Sequence, residues 1–199
     1  SVNGTTADAN YDNSGATGTN SMAAGVGASA TQANASAIGY NAVASATNAT
    51  AVGQGAQAAA TDSTAVGSGA KVAATAFSGI AIGKDASANV AGGVAIGEGS
   101  VSSTAGGVAG YVPPPANAAQ TSAIAATTST TGSFAVGSAS NGVYRQITGL
   151  AAGTADSDAV NVAQLKAVQG SITDAVDAAK TRYYSVNDGG TASGNYKND

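Results

Sequence analysis

The chain has 199 residues, 49 of them alanine and 28 glycine, with 7 basic against 11 acidic side chains and neither histidine nor cysteine. Those absences exclude thiol nucleophiles, histidine-based triads, disulfides and the usual zinc sites, and the acidic balance argues against a nucleic-acid partner. Leu, Ile, Val and Phe together number 29, about 15% where chains below roughly 20% tend to disorder; yet charge is only 9% and the apolar residues are periodic, so either backbones pack closely in a repeat or burial occurs between chains.

No apolar run of 18 or more occurs. The expectation is a soluble protein, or a piece of a longer one, that neither targets nor inserts into a membrane by itself. Residues 1–20 read as a lead-in segment. From residue 21 a signature recurs as Ala37-Ile38-Gly39, Ala51-Val52-Gly53, Ala65-Val66-Gly67, Ala81-Ile82-Gly83, Ala95-Ile96-Gly97 and Ala135-Val136-Gly137, after a degenerate Ala23-Ala24-Gly25. Its glycines are spaced by 14, 14, 14, 16, 14 and 40 residues. Second short runs such as Ala42-Val43-Ala44 lie between, so each unit reads as two strands joined by turns.

Successive strand residues point to opposite faces. One face takes Ala23, Ala37, Ala51, Ala65, Ala81, Ala95 and Ala135, which suits the interior of a narrow roll, and the following glycine permits a turn closed to other residues. The other face takes Ile38, Val52, Val66, Ile82 and Ile96, joined in later copies by Ile80, Val94 and Phe134. Soluble monomers rarely leave such a stripe exposed. It is therefore expected to be buried against other copies of the chain. Residues 21–101 are thus predicted to form a mainly β fold, a parallel β-roll (β-solenoid) of 14-residue repeats with roughly six coils stacked about 4.8 Å apart.

Residues 98–132 break this rhythm and read as an insertion. Three consecutive prolines, 113–115, cannot donate to a sheet ladder, and 118–126 could form a short helix. The insertion either caps the roll or, as loops on rigid scaffolds often do, contacts a ligand. A last head-like strand follows within 133–144. Residues 145–199 then hold eleven of the eighteen charged side chains. Residues 144–150 read as a strand ended by Gly149, and Asp156 and Asp158 as N-cap candidates for a helix from about 159 to 184. Val162, Leu165, Gln169, Ile172, Val176, Ala179 and Tyr183 form an unbroken heptad seam at the cost of one buried glutamine. Leu165, Val168, Ile172, Ala175, Ala179 and Arg182 form a second, less apolar seam. A lone helix with so thin a stripe is marginal in water, so partner helices are again required. Ser185-Val186-Asn187 and Asn195-Tyr196-Lys197-Asn198 echo Ser1-Val2-Asn3 and Asn10-Tyr11-Asp12-Asn13, so 185–199 reads as the start of the next unit of a tandem array.

Ser36-Ala37-Ile38-Gly39 and its repeats resemble the head repeats of trimeric autotransporter adhesins of the YadA-like type. Asp158-Ala159-Val160-Asn161-Val162-Ala163-Gln164-Leu165, preceded by Arg145-Gln146-Ile147-Thr148 and Ala151-Ala152-Gly153-Thr154, resembles the family's neck. The resemblance spans 21–184. It implies a parallel homotrimer of left-handed β-rolls packed through Ile38, Val52, Val66, Ile80, Ile82, Val94 and Ile96. A neck over 145–165, with Arg145, Asp158, Val160, Asn161, Val162, Gln164 and Leu165, would narrow onto a trimeric coiled-coil stalk over 162–184. It implies further a passenger region displayed at the outer membrane of a Gram-negative bacterium, attaching it to host cells or extracellular matrix without catalysis or cofactor. The 98–132 insertion departs from the family pattern, and the family's C-terminal membrane barrel does not occur in this sequence.

Sharper chemical readings are weaker. Gly79-Ile80-Ala81-Ile82-Gly83-Lys84 has three residues between its glycines where a phosphate loop needs four, and Asp85 stands where Ser or Thr is required. Asp156, Asp158, Asp174 and Asp177 read as solvated carboxylates near a helix N-terminus in preference to a cation site. Asn34-Ala35-Ser36 and Asn48-Ala49-Thr50 match a glycosylation sequon that is frequent by chance. A monomeric solenoid binding ice or carbohydrate through a flat face would need a regular ladder, and Ser36, Ile80 and Val94 interrupt Thr50 and Thr64. A solenoid lyase would need a clustered charged site, for which Asp62, Lys71, Lys84, Asp85 and Glu98 are sparse.

Overall fold

The computed structural model describes residues 13–182, within two compact units that divide between Gln146 and Ile147. In the first unit the strands come in pairs, one pair per coil. They are β1 (Met22–Ala24) and β2 (Ser29–Ala30), β3 (Ser36–Ile38) and β4 (Val43–Ala44), β5 (Thr50–Val52) and β6 (Gln57–Ala58), then β7 (Thr64–Val66) and β8 (Lys71–Val72). Next come β9 (Ile80–Ile82) and β10 (Ser87–Ala88), β11 (Val94–Ile96) and β12 (Val101–Ser102), and finally β13 (Phe134–Ala135). The odd-numbered strands stack into a seven-stranded sheet and the even-numbered ones into a six-stranded sheet. All pairings between named strands are parallel. The result is a parallel β-solenoid of about six turns, as the 14-residue spacing predicts.

Glycine permits this closeness. At Gly53 the backbone turns with φ 130°, and an added Cβ would lie 2.5 Å from the carbonyl oxygen of Gly67 in the next coil. Any side chain there would collide with backbone that the ladder holds in place. The interior is filled almost wholly by methyl groups: nineteen alanines and Val72 make up its buried apolar core. Val72 stands in register with Ala58 and Ala88. Its extra bulk fits because its coil is two residues longer and because Gly79 faces it, where a Cβ would come within 2.9 Å of Val72 Cγ1. Buried hydroxyls are paired too, Ser63 with the Ala60 carbonyl and Ser102 with the Ser133 carbonyl at 2.7 Å.

Three sequence expectations are corrected. The insertion begins later than residue 98, because β12 pairs with β10 through Ser87 and Val101 and keeps the chain in the roll to Ser102. The excursion proper, 103–132, contains no charged residue. It carries helix α1 (Ala118–Ala126), whose N-terminus is closed by a reciprocal capping box between Asn117 and Gln120. The chain then re-enters in register, Phe134 beside Val94 and Ala135 beside Ala95. Residues 144–150 form no strand; the chain closes a small loop through a bridge between Ser138 and Val143 and a 3-10 turn at Ala139–Asn141. In the second unit, helix α2 (Val162–Arg182) starts three residues later than expected, since Asn161 and not an aspartate is its cap. The expectations for Tyr183 and for 185–199, and most of the 1–20 lead-in with its terminal echo, lie outside the described residues.

Candidate adhesive surface and neck

The alternation of β9, Ile80-Ala81-Ile82, shows how the two faces arise: Ala81 is fully enclosed while its neighbours project outward. Ala23, Ala37, Ala51, Ala65, Ala81 and Ala95 all lie inside the roll. Ala135, on the last strand, is only half-buried because no further coil covers it. Outside, the seven-stranded sheet presents an unbroken column of Ala24, Ile38, Val52, Val66, Ile82 and Ile96. Ile38, Ile82 and Ile96 keep 38–40% of their surface exposed, and Val52 and Val66 are half-buried. The neighbouring column runs Met22, Ser36, Thr50, Thr64, Ile80, Val94 and Phe134. It changes from hydroxyl to aliphatic and aromatic toward the last coils, so the apolar face doubles in width there.

A second recurrence went unread in the sequence. Asn20, Asn34, Asn48 and Asp62 occupy one turn of successive coils with φ 57–59°, the left-handed region that asparagine and aspartate tolerate best. Their side chains form a ladder, Asn34 Nδ2 donating to Asn48 Oδ1 at 3.0 Å and Asn48 Nδ2 to Asp62 Oδ1 at 2.8 Å. Their 14-residue spacing was a sufficient signal. The two asparagines of the sequon matches are thus members of a structural ladder. Among the remaining charges, Lys84 Nζ donates to Asp85 at 2.8 Å and Glu98 at 3.2 Å. Asp85 first and Glu98 second hold the ammonium pKa above its ordinary value.

The neck octet ties itself together through three polar side chains. Asp158 Oδ2 accepts from the amides of Thr154 at 2.9 Å and Ala155 at 3.0 Å. Gln164 does most: its Nε2 donates to the Gly153 carbonyl at 2.9 Å, and its Oε1 accepts from the amides of Gly153 and Asn161. Asn161 Oδ1 accepts from the Gln164 amide at 3.1 Å and its Nδ2 donates to the Leu150 carbonyl at 3.3 Å. Between these, Val160, Val162 and Leu165 project outward at 63–67% exposure. Arg145, in the first unit, donates instead to the end of the roll, reaching the carbonyls of Val136 and Glu98 at 2.6 Å and Ser100 Oγ at 3.0 Å. On α2, Ile172 and Val176 are exposed, as is Val168 of the competing seam, and Gln169 and Ala179 are exposed as well.

The Ala155 and Thr154 amides hold the Asp158 carboxyl below its ordinary pKa of 3.8. A depressed native value means the stabilisation is present above the ordinary pKa and is lost as pH falls through it toward the native one. Amide chemical shifts of Thr154 and Ala155 followed against pH are expected to titrate with a midpoint below 3.8, and in Asp158→Asn that transition is expected to vanish. A midpoint at or above the ordinary value would show the bonds are not made.

Residues 16–42, 44–70 and 74–100 match the family described as the YadA head domain repeat. Residues 146–192 match the coiled stalk of trimeric autotransporter adhesin. The chain belongs to the trimeric autotransporter adhesins. Among curated relatives, the trimeric autotransporter adhesin AtaA of Acinetobacter sp. (strain Tol 5) is 67% identical over 60 residues, 30% of this chain. The autotransporter adhesin BadA of Bartonella henselae is 56% identical over 46 residues, 23% of the chain. This adhesin segment spans 2% of the length of each. Solved structures similar to it include a C-terminal YadA-like domain from Burkholderia pseudomallei, 31% identical over 68% of this chain and 57% of that one, with a TM-score of 0.44. The collagen-binding domain of the Yersinia adhesin YadA is 27% identical over 75% of each chain, with a TM-score of 0.39. No helix among the described residues of the adhesin is long and apolar enough to cross a membrane.

Proposed function

We propose that the chain is a passenger segment of a surface fibre in which three copies join, displayed at the outer membrane of a Gram-negative bacterium and attaching it to host cells or extracellular matrix. The observation that carries this reading is the aliphatic column Ile38, Val52, Val66, Ile82 and Ile96, which a single chain leaves partly open to water, its three isoleucines exposed and its two valines half-buried. Large continuous apolar surface of this kind marks an interface, and a second copy offers the same column at the same 14-residue spacing. In the trimer, Ile80 and Val94 widen the contact in the last coils. Val162, Leu165, Gln169, Ile172, Val176 and Ala179 form the seam along which three helices pack. Adhesion then follows from stiffness and repetition: the fibre holds its outward surfaces, the 103–132 excursion among them, away from the cell. Binding needs neither a cofactor nor a catalytic group.

Sedimentation equilibrium is expected to give three times 18.5 kDa. Ile82→Asp puts a charge on the buried column and is expected to return the protein to monomers, a loss of several kcal/mol per buried carboxylate. A stable monomer from the unaltered chain would sink the trimer, and an Ile82→Asp trimer of unchanged stability would show that another face joins the copies. A screen of the trimer against matrix proteins and surface glycans then tests the partner class; no binding above that of a stalk-only control would remove adhesion from this segment.

A further inference from the structure

A solenoid has two bare ends, and each coil's carbonyls wait for the amides of the next. In this roll two of those bonds repeat on every coil at one corner. The first is made by the signature glycine, as in Gly53 to Ile38 at 2.8 Å, Gly67 to Val52 at 2.8 Å, Gly83 to Val66 at 2.8 Å and Gly97 to Ile82 at 2.7 Å. The second comes two residues later, as in Gly69 to Gln54, Asp85 to Ser68 and Gly99 to Lys84, all at 2.9 Å. Carried one step on, the second series needs a donor for the Glu98 carbonyl. Beyond β13, the first needs one for the Val136 carbonyl. Among the described residues no backbone amide is bonded to either carbonyl.

Both carbonyls are nevertheless satisfied, by one side chain. Arg145 Nη2 donates to Glu98 O and Nη1 to Val136 O, each at 2.6 Å, and Nη1 also reaches Ser100 Oγ at 3.0 Å. The guanidinium lies close over Gly97, where an added Cβ would meet its Cζ at 3.0 Å. A planar, permanently charged fork can serve two carbonyls at once, whereas the single ammonium of lysine is a point donor on a flexible stem. An uncovered strand edge is a template for pairing with another chain, and charge placed on it is a known way to prevent that.

We propose that Arg145 is the stop of the roll: its guanidinium takes the place of two ladder amides, one owed to Glu98 and one owed to Val136 on the following coil, and closes the last edge against strand addition by the extended backbone of a second copy. This gives Arg145 a role separate from the Asp158, Asn161 and Gln164 knot, whose hydrogen bonds lie within the second unit.

The test uses the full 199-residue chain with Arg145→Ala and Arg145→Lys. Hydrogen exchange is expected to lose about 10- to 100-fold in protection at residues 97–101 and 136–143 in both variants, the range for bonds to a charged group, while coils spanning 37–66 stay unchanged. Light scattering is expected to show assemblies larger than the parent's. Unchanged protection in Arg145→Ala, or protection in Arg145→Lys equal to the parent's, would overturn the proposal. The unaltered protein decides independently of whether the variants fold: nitrogen-15 spectra should show separate, slowly exchanging Nη protons for Arg145. A single averaged guanidinium signal, as for a freely exposed arginine, would also overturn it.

Discussion

Ala81→Leu is expected to unfold the roll, or to lower its stability by at least about 3 kcal/mol, at the upper end of what overpacking costs. Ala81 is fully buried, in register with Ala65 and Ala95, which are fully buried as well. Three added carbons have nowhere to go, because the neighbouring coils are held by backbone hydrogen bonds and cannot spread independently. Val72 calibrates the limit. It shows that a larger side chain is admitted only in the coil with two extra residues and with a glycine opposite. Thermal and urea unfolding of Ala81→Leu check this directly. A midpoint within about 2 °C of the parent, well under the shift such a loss implies, would show that the interior has room the packing does not reveal.

The second large effect is expected at Gly53, and Gly55 serves as its control. Gly53→Ala adds a Cβ 2.5 Å from the Gly67 carbonyl oxygen and 2.6 Å from its carbon, at φ 130°. Backbone strain of roughly 1–3 kcal/mol and a clash of similar size then combine to about 3–5 kcal/mol. Gly55→Ala also meets a positive φ, 64°, but nothing lies within 4 Å of the new methyl; its expected cost is the steric penalty alone, about 1–2 kcal/mol. Denaturant unfolding of the pair measures the difference. Equal losses would mean that conformation, and not the approach of successive coils, is what demands glycine at 53.

The recurrence of Ala-(Val/Ile)-Gly made the solenoid, its strand pairs and the sidedness of residues such as Ala81 and Ile82 legible before any coordinates, because period 2 within a strand and period 14 between coils leave little freedom in register. The Asn20, Asn34, Asn48 and Asp62 ladder obeys the same period and is equally written in the sequence. Other features lacked a local signal. The start of the excursion is marked by no residue of its own, and the membership of β12 in the roll shows in its pairing with β10. The helix cap was misassigned for a related reason: Asp156, Asp158 and Asn161 are all competent caps, and the choice fell to Gln164, which can close a reciprocal box only with Asn161.

The sequence alone determined the repeat, the alanine interior and the aliphatic column, since each is written by side-chain size at fixed spacing. Only the tertiary structure decided where the repeat stops. A bare coil edge asks for donors at two particular carbonyls, and that Arg145 reaches both from across an irregular loop depends on how residues 137–145 fold back. The same holds for Asp158, whose carboxyl is drawn to two turn amides three and four residues before it. Periodicity encodes what every coil shares, whereas ends and connections are settled by single side chains finding unsatisfied backbone groups in space.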